Sequence, residues 1–290
     1  MGQVLKESRK LPGSYISALK FREDGIWLNG KPARVSQEVL PGGRVSVRLD
    51  DEGGRNEAEP MEFAPDFVYE DEYLAVLNKP AGMAVHGSLQ GSECTVANAL
   101  AFLWGSGQAF HPVNRLDKGT SGLMLIAKSG CIHDMLRRAL HTEDFVREYL
   151  AVAEGLAEET EGEIALPIGS GEGLCRAIRP DGQPSLTRYK VLWTGETGGK
   201  ARTLFWVRPL TGRTHQIRVH MAASGHPLCG DAMYGAAEAC PGRPALHSFR
   251  VRFRHPVTEA EMRFAAPLPE DLKALLPAAA DWEALLHGND

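Results

Sequence analysis

The chain has 290 residues, about twice the usual length of one domain, so two domains or one large one is expected. With 43% hydrophobic residues, 24% charged residues and a mean hydropathy of -0.23, the composition excludes a disordered or fibrous chain; no apolar run reaches the roughly 18 residues of a membrane helix, and no signal-peptide core opens the chain, which points to the cytoplasm. The net charge of -5 is unevenly spread: residues 1–49 sum to +5 and 200–255 to +7, against -8 for 143–172 and -5 for 256–290, so local basic surface for a polyanion exists.

Residues 11–49 read as a small unit. A helix is expected over 14–22, a hairpin at Asn29-Gly30, and a strand through the alternating Val45, Val47 and Leu49. The acidic, glycine-containing segment 50–60 reads as a linker, dividing the chain into a small unit with its linker (1–60) and a larger domain (61–290). A strand over 67–77 ends at the turn Lys79-Pro80-Ala81-Gly82, and Thr95 caps a helix over 96–104. The apolar run 123–127 reads as a buried strand, Ser129 caps a helix reaching about residue 140, and 148–153 returns as a strand. Further strands are expected over 185–193, 204–207 and around Val251 and Phe253, with a helix over 216–224 stopped by Gly225. Strands in irregular order with helices between them predict an α+β fold with a mixed, largely antiparallel central sheet and flanking helices.

Two segments concentrate polar chemistry. Asn114-Arg115-Leu116-Asp117-Lys118-Gly119-Thr120-Ser121-Gly122 puts one carboxylate in a loop of small and hydroxyl residues just before the buried strand, although Asp before such a run also makes an ordinary turn. The segment from Leu210 to Asp231 contains Arg213, His215, Gln216 and Arg218; His215 and Arg218 are three apart and share a helix side. A zinc reading with His215, His220 and His226 fits poorly, because spacings of five and six do not share a helix face as an i, i+4 pair does. The five cysteines are odd in number and lack a C-x-x-C pair, so they read as reduced thiols.

These two segments together resemble the RluA-type pseudouridine synthases, which convert uridine in RNA to its carbon-linked isomer. Three more agree in order and spacing: Leu77-Asn78-Lys79-Pro80-Ala81-Gly82-Met83 with His86, Arg147-Glu148-Tyr149-Leu150-Ala151-Val152, and Pro184-Ser185-Leu186-Thr187-Arg188-Tyr189. The likeness spans residues 65–267. Residues 11–49 more weakly resemble the small RNA-binding domain named after ribosomal protein S-four. Family members usually have His at the position of Asn114 and often Lys at that of Arg147.

The resemblance implies a pseudouridine synthase catalytic fold and an isomerase needing neither cofactor nor metal. Asp117 would be the central carboxylate, acting on the anomeric carbon as a nucleophile or assisting a proton abstraction that gives a glycal-like intermediate. Arg218 would supply its counter-charge and hold its geometry, and Tyr149 would pack on the target base and serve in removing the carbon-5 proton. Extruding the nucleotide costs unstacking energy that flanking phosphate contacts can cover. Arg115, Lys118, Arg213, Arg250, Arg252 and Arg254 are assigned there, with Thr120, His215 and Gln216 completing the RNA-facing set. The expected partner is ribosomal RNA, or transfer RNA, bound by a monomer away from membranes. Two alternatives stay open: a non-catalytic RNA-binding protein on this scaffold, and a glycosidase using Asp231 as a second acid.

Overall fold

The computed structural model describes residues 1–8, 11–22, 24–50, 56–87, 93–140 and 142–278. In the amino-terminal unit, α1 (Gly2–Ser8), which local sequence signals do not announce, precedes α2 (Gly13–Ala18) and a 3-10 turn, Leu19–Phe21, that together replace the single helix expected over 14–22. The hairpin joins β1 (Ile26–Leu28) to β2 (Lys31–Pro32) in the Leu28↔Lys31 register. Asn29 and Gly30 both take positive φ, 53° and 78°, as a two-residue turn of this hand requires. β3 (Val45–Val47) completes a three-stranded sheet, and Leu5, Leu11, Ile16, Leu19 and Ile26 form a core that also takes in Cys131 of the larger body.

The expected linker is only partly within the described residues, since 51–55 lie outside them. The remainder packs on α3 (Val96–Trp104): the Asn56 side chain donates to the Ala97 carbonyl at 2.7 Å, and Asn98 donates to the Glu59 carbonyl at 2.7 Å. Helix α3 begins at Thr95, whose hydroxyl accepts from the Asn98 backbone while the Asn98 side chain accepts from the Thr95 backbone, a closed capping box.

One ten-stranded sheet organises the rest. The stretch expected as one strand over 67–77 is a hairpin of β4 (Asp66–Glu70) and β5 (Leu74–Lys79); the Asp71 carboxylate accepts from the backbone N–H groups of Tyr73 and Leu74 at 2.7 and 2.9 Å, closing a turn that hydrophobic alternation does not reveal. The short β6 (His111–Pro112) and the fully buried β7 (Ser121–Ala127) follow, then α4 (Gly130–Ala139), capped by the Ser129 hydroxyl on the Ile132 N–H. After β8 (Phe145–Glu154) and β9 (Glu161–Ile164), β10 (Ile168–Ser170) and β11 (Arg176–Ile178) pair apart from the main sheet. The long β12 (Thr187–Thr197) and β13 (Lys200–Pro209) lead into α5 (Gln216–Ala223); β14 (Leu246–Arg254), β15 (Glu261–Ala265) and α6 (Glu270–Lys273) follow.

The order is β4-β5-β7-β14-β8-β13-β12-β9, with β15 on β14 and β6 on β7, and every pair is antiparallel except β14 with β7. That parallel pair needs Gly122. Its φ is +105°, and a Cβ there would lie 2.2 Å from the Ser248 carbonyl oxygen. Alternating side chains feed opposite faces: Met124, Ile126, Ala151 and Phe205 join Leu77, Ile217 and Met221 in one core, while Leu123 and Leu125 meet Ile132 and Leu136 of α4. Each such fully buried aliphatic or Phe side chain contributes roughly 1.5–3 kcal/mol. Ile217 and Met221, four apart, pin α5 to the sheet and so set where Arg218 points.

Candidate active site

The loop carrying Asp117 is held from both ends. Before it, Val113 N–H donates to the Leu125 carbonyl at 2.8 Å, and buried Asn114 accepts from the Leu125 N–H at 2.8 Å, so the amide at this position ties the loop to β7. Beneath it, the Lys79 ammonium, only 1% exposed, donates to the carbonyls of Pro80 and Met83 at 2.8 Å each and to that of Lys118 at 3.4 Å. Burial pushes the Lys79 amine down to about 8.

Asp117 faces Arg218 and His215, which lie 101 and 98 positions further along the chain. One guanidinium nitrogen of Arg218 reaches its carboxylate at 3.4 Å, and His215 Nε2 lies at 3.8 Å. Arg218 is aimed by a residue that sequence reading offered only as a second acid. Asp231, 1% exposed, accepts two 2.7 Å hydrogen bonds from the guanidinium, a bidentate clamp that leaves the third nitrogen for Asp117. The same guanidinium lies over the Tyr234 ring, 4.9 Å from its centroid. With its oxygens committed to Arg218, Asp231 is an anchor and does not act as a glycosidase's second acid.

His215 sits at the start of α5 in the left-handed region, φ 56° and ψ 19°, uncommon for a residue with a side chain. The Tyr234 hydroxyl accepts from the Arg176 backbone N–H at 2.9 Å and lies 2.7 Å from His215 Nδ1. Its proton is therefore free to go to Nδ1, which places the imidazole hydrogen on Nε2, facing Asp117. Burial lowers the pKa of His215 below its ordinary value, opposed by the neighbouring Asp117 carboxylate, which raises it.

Asp117, His215 and Arg218 line one cleft of about 680 Å³, a nucleotide-scale volume, together with Arg115, Lys118, Thr120, Arg147, Tyr149, Arg176, Arg213 and Gln216. Tyr149 is 6% exposed, and its hydroxyl is pushed above the ordinary value chiefly by burial. Arg115 and Arg213 are exposed at the rim, whereas Lys118 pairs with Glu93 at 2.5 Å. Gln216 accepts from the Thr211 hydroxyl and the Arg213 N–H and donates to the Leu186 carbonyl and the Thr187 hydroxyl, so all four of its hydrogen-bonding positions are used within the protein. It shapes the 211–216 loop, and the geometry does not carry the expectation that its amide contacts RNA.

Arg250 and Arg252 lie outside the cleft. They line a separate depression of about 270 Å³ and pair with Glu148 at 4.0 Å and Glu261 at 3.0 Å; Arg254 pairs with Asp144 at 3.5 Å. The three histidines of the zinc reading diverge: His220 is buried against Ser185 and Thr187, His226 packs on Phe205, and among the described residues no cluster of metal-ligating side chains forms. No described helix is long and apolar enough to cross a membrane. Sequence reading missed Asp231 as an anchor, as well as Tyr234, Arg176 and the role of Lys79. Lys79 and Asp231 carried a signal, as parts of quoted motifs; Tyr234 and Arg176 carried none.

Comparison with known proteins places this arrangement. Residues 73–223 match the family described as RNA pseudouridylate synthase. The chain is 35% identical over 268 residues to the "Uncharacterized RNA pseudouridine synthase YjbO" of Bacillus subtilis (strain 168), covering 90% of this chain and 93% of that one. It is 35% identical over 276 residues to the "Ribosomal large subunit pseudouridine synthase D" of Vibrio parahaemolyticus serotype O3:K6 (strain RIMD 2210633), covering 87% and 82% of the two chains. Among solved structures, "Human RNA Pseudouridylate Synthase Domain Containing 1" superposes with a TM-score of 0.62 at 26% identity, covering 82% of this chain and 97% of the human one. With its carboxylate loop and clamped arginine inside the matched stretch or held from just beyond it, the chain belongs to the RNA pseudouridylate synthase family.

Proposed function

We propose that the protein isomerises uridines of ribosomal RNA to pseudouridine, with Asp117, Arg218 and Tyr149 as its reacting and positioning groups. The observation that carries this reading is the Asp117 carboxylate held at the floor of a nucleotide-sized cleft, 3.4 Å from an arginine that Asp231 locks in place. The reaction breaks the bond from ribose C1′ to uracil N1, turns the base and joins C1′ to C5, from which a proton is then lost. Asp117 serves at C1′, either by attacking it or by assisting loss of a ribose proton. Arg218, with His215 beside it, holds that carboxylate without a reorganisation at the moment of reaction. Tyr149 packs on the base, and its hydroxyl relays the C5 proton, passing its own on to solvent in the cleft as it accepts that one. Ribosomal RNA is preferred over transfer RNA because a relative 35% identical over 87% of this chain is named for the large ribosomal subunit. Residues 1–60 are read as an appended RNA-recruiting unit, and the protein as a cytoplasmic monomer.

The test is tritium release from RNA labelled at uridine C5, comparing the intact protein with Asp117→Asn on ribosomal and transfer RNA transcripts. Release from ribosomal RNA that the variant abolishes is the expected result. Release from transfer RNA alone would move the substrate assignment, and RNA binding without release from either would favour the non-catalytic scaffold.

A further inference from the structure

Buried polar atoms are almost always satisfied, so those that are not mark places where a partner arrives from outside. Among the described residues, three of the four buried side-chain atoms without a hydrogen-bond partner, Thr120 Oγ1, Arg147 Nε and Arg176 Nε, belong to residues lining the catalytic cleft. Arg147 is the extreme case: its residue is 9% exposed, and no described hydrogen bond or ion pair engages its guanidinium.

Its surroundings explain why. The acids nearest in sequence are already taken: Glu143 by Arg208 at 2.7 Å, Asp144 by Arg254 at 3.5 Å and Glu148 by Arg250 at 4.0 Å. Across the sheet, the residue paired with Arg147 on β14 is the apolar Val251. On its own strand the next side chain facing the same way is Tyr149, whose hydroxyl feels the Arg147 charge. A guanidinium is always charged, offers five N–H donors and accepts nothing; the Nε of Arg147 is closed off without a partner, while its residue lines the cleft where an incoming acceptor can reach the fork.

Resting on the reading of the cleft as a uridine site, we infer that Arg147 is a substrate-binding residue whose guanidinium receives an oxygen acceptor of the target nucleotide. Two oxygens on that nucleotide have the required chemistry, a phosphate oxygen and a uracil carbonyl. A fork of donors suits either, and both sit within a nucleotide's length of a base packed on Tyr149. The bound nucleotide thereby supplies the acceptor that the fold withholds.

The experiment uses the full chain and the variants Arg147→Met and Arg147→Lys. Thermal unfolding is followed with uridine, uridine 5′-monophosphate or inorganic phosphate at millimolar concentration, alongside tritium release from RNA. The methionine variant is expected to keep the parent's heat stability, because no hydrogen bond or ion pair within the protein is lost. Its kcat/KM falls by about ten- to hundredfold, the loss of one or two hydrogen bonds to a charged group, and the lysine variant falls less. Stabilisation by the monophosphate or by phosphate, absent in Arg147→Met, assigns the contact to phosphate; equal stabilisation by uridine assigns it to the carbonyl, and either supports the inference. Full activity of Arg147→Met overturns it, as does a fall in heat stability matching the fall in activity in both variants, which would make the charge structural. An intact protein that releases no tritium, yet gains stability from these ligands only when Arg147 is present, would sink the isomerase reading and leave this contact standing.

Discussion

Replacing Asp231 with Asn keeps the shape of the clamp on Arg218 but removes its charge, and the structure sets the size of the effect. Asp231 and Arg218 are 1% and 6% exposed and share two 2.7 Å hydrogen bonds. At an effective dielectric of about 20, unit charges centred about 4 Å apart attract by about 4 kcal/mol, in line with the roughly 3–5 kcal/mol lost when a buried pair is broken from one side. Asp231→Asn is therefore expected to lower the unfolding free energy by about 4 kcal/mol, read from urea melts. The activity loss has a separate cause. Arg218 is then free to turn towards Asp117, now its one remaining carboxylate at 3.4 Å, and a displacement of the order of 1 Å at a reacting group costs about a hundredfold in kcat. The double variant Asp231→Asn with Arg218→Met removes the stranded charge, so it recovers most of the stability and none of the activity. A loss below about 1 kcal/mol in the single variant, or a double variant less stable than the single one, would refute the picture of a desolvated, mutually dependent pair.

Two further outcomes follow from the placement of charge. Exposed Arg115 and Arg213 lie at the cleft, so changing both to Glu should weaken RNA binding and flatten the dependence of log K on log salt by about one unit per lost phosphate contact; Arg250→Gln with Arg252→Gln, which removes charges already paired with Glu148 and Glu261, should leave that slope unchanged in filter-binding titrations. Burial pushes His247 down to about 4 from its ordinary 6.5, with Nδ1 beside the Ser121 hydroxyl at 2.9 Å. The unfolded chain takes up this proton first as pH falls, so the contribution is fully present above pH 6.5 and is lost progressively down to pH 4, a span worth roughly 3 kcal/mol. His247→Asn should flatten the stability profile across that window, and an unchanged profile would show that other groups drive the acid sensitivity.

Much of the candidate site is legible without coordinates because it is contiguous. The run from Asn114 to Gly122 places a carboxylate between a turn and a buried strand, and the 210–231 segment places Arg218 on the helix Gln216–Ala223, with His215 just ahead of it in the left-handed conformation and not on a helix face as expected. Caps were equally readable: Thr95 and Ser129 sit one residue before their helices and accept from N–H groups three positions ahead. Where the reading failed, the deciding interaction was not periodic. A side chain folding back on its own backbone at Asp71 broke one expected strand into two, and strict alternation at Arg250 and Arg252 indicated a shared face but not that Glu148 and Glu261 would neutralise it.

Hydrophobic alternation, capping and turn chemistry act over a few residues, and they are what the sequence by itself determined: the α+β class and the main elements, while Asp117 was singled out as a candidate carboxylate through the resemblance of its loop. Which partners meet across the sheet was decided only by the tertiary structure. Asp117 and Arg218 are 101 positions apart, and they meet because the glycine at position 122 lets β7 run beside β14 while Ile217 and Met221 fix the rotation of α5. The choice of Asp231 for Arg218, and the lack of a partner for Arg147 Nε among the described residues, follow from which acids that packing leaves within reach, a property of distances that no local pattern encodes.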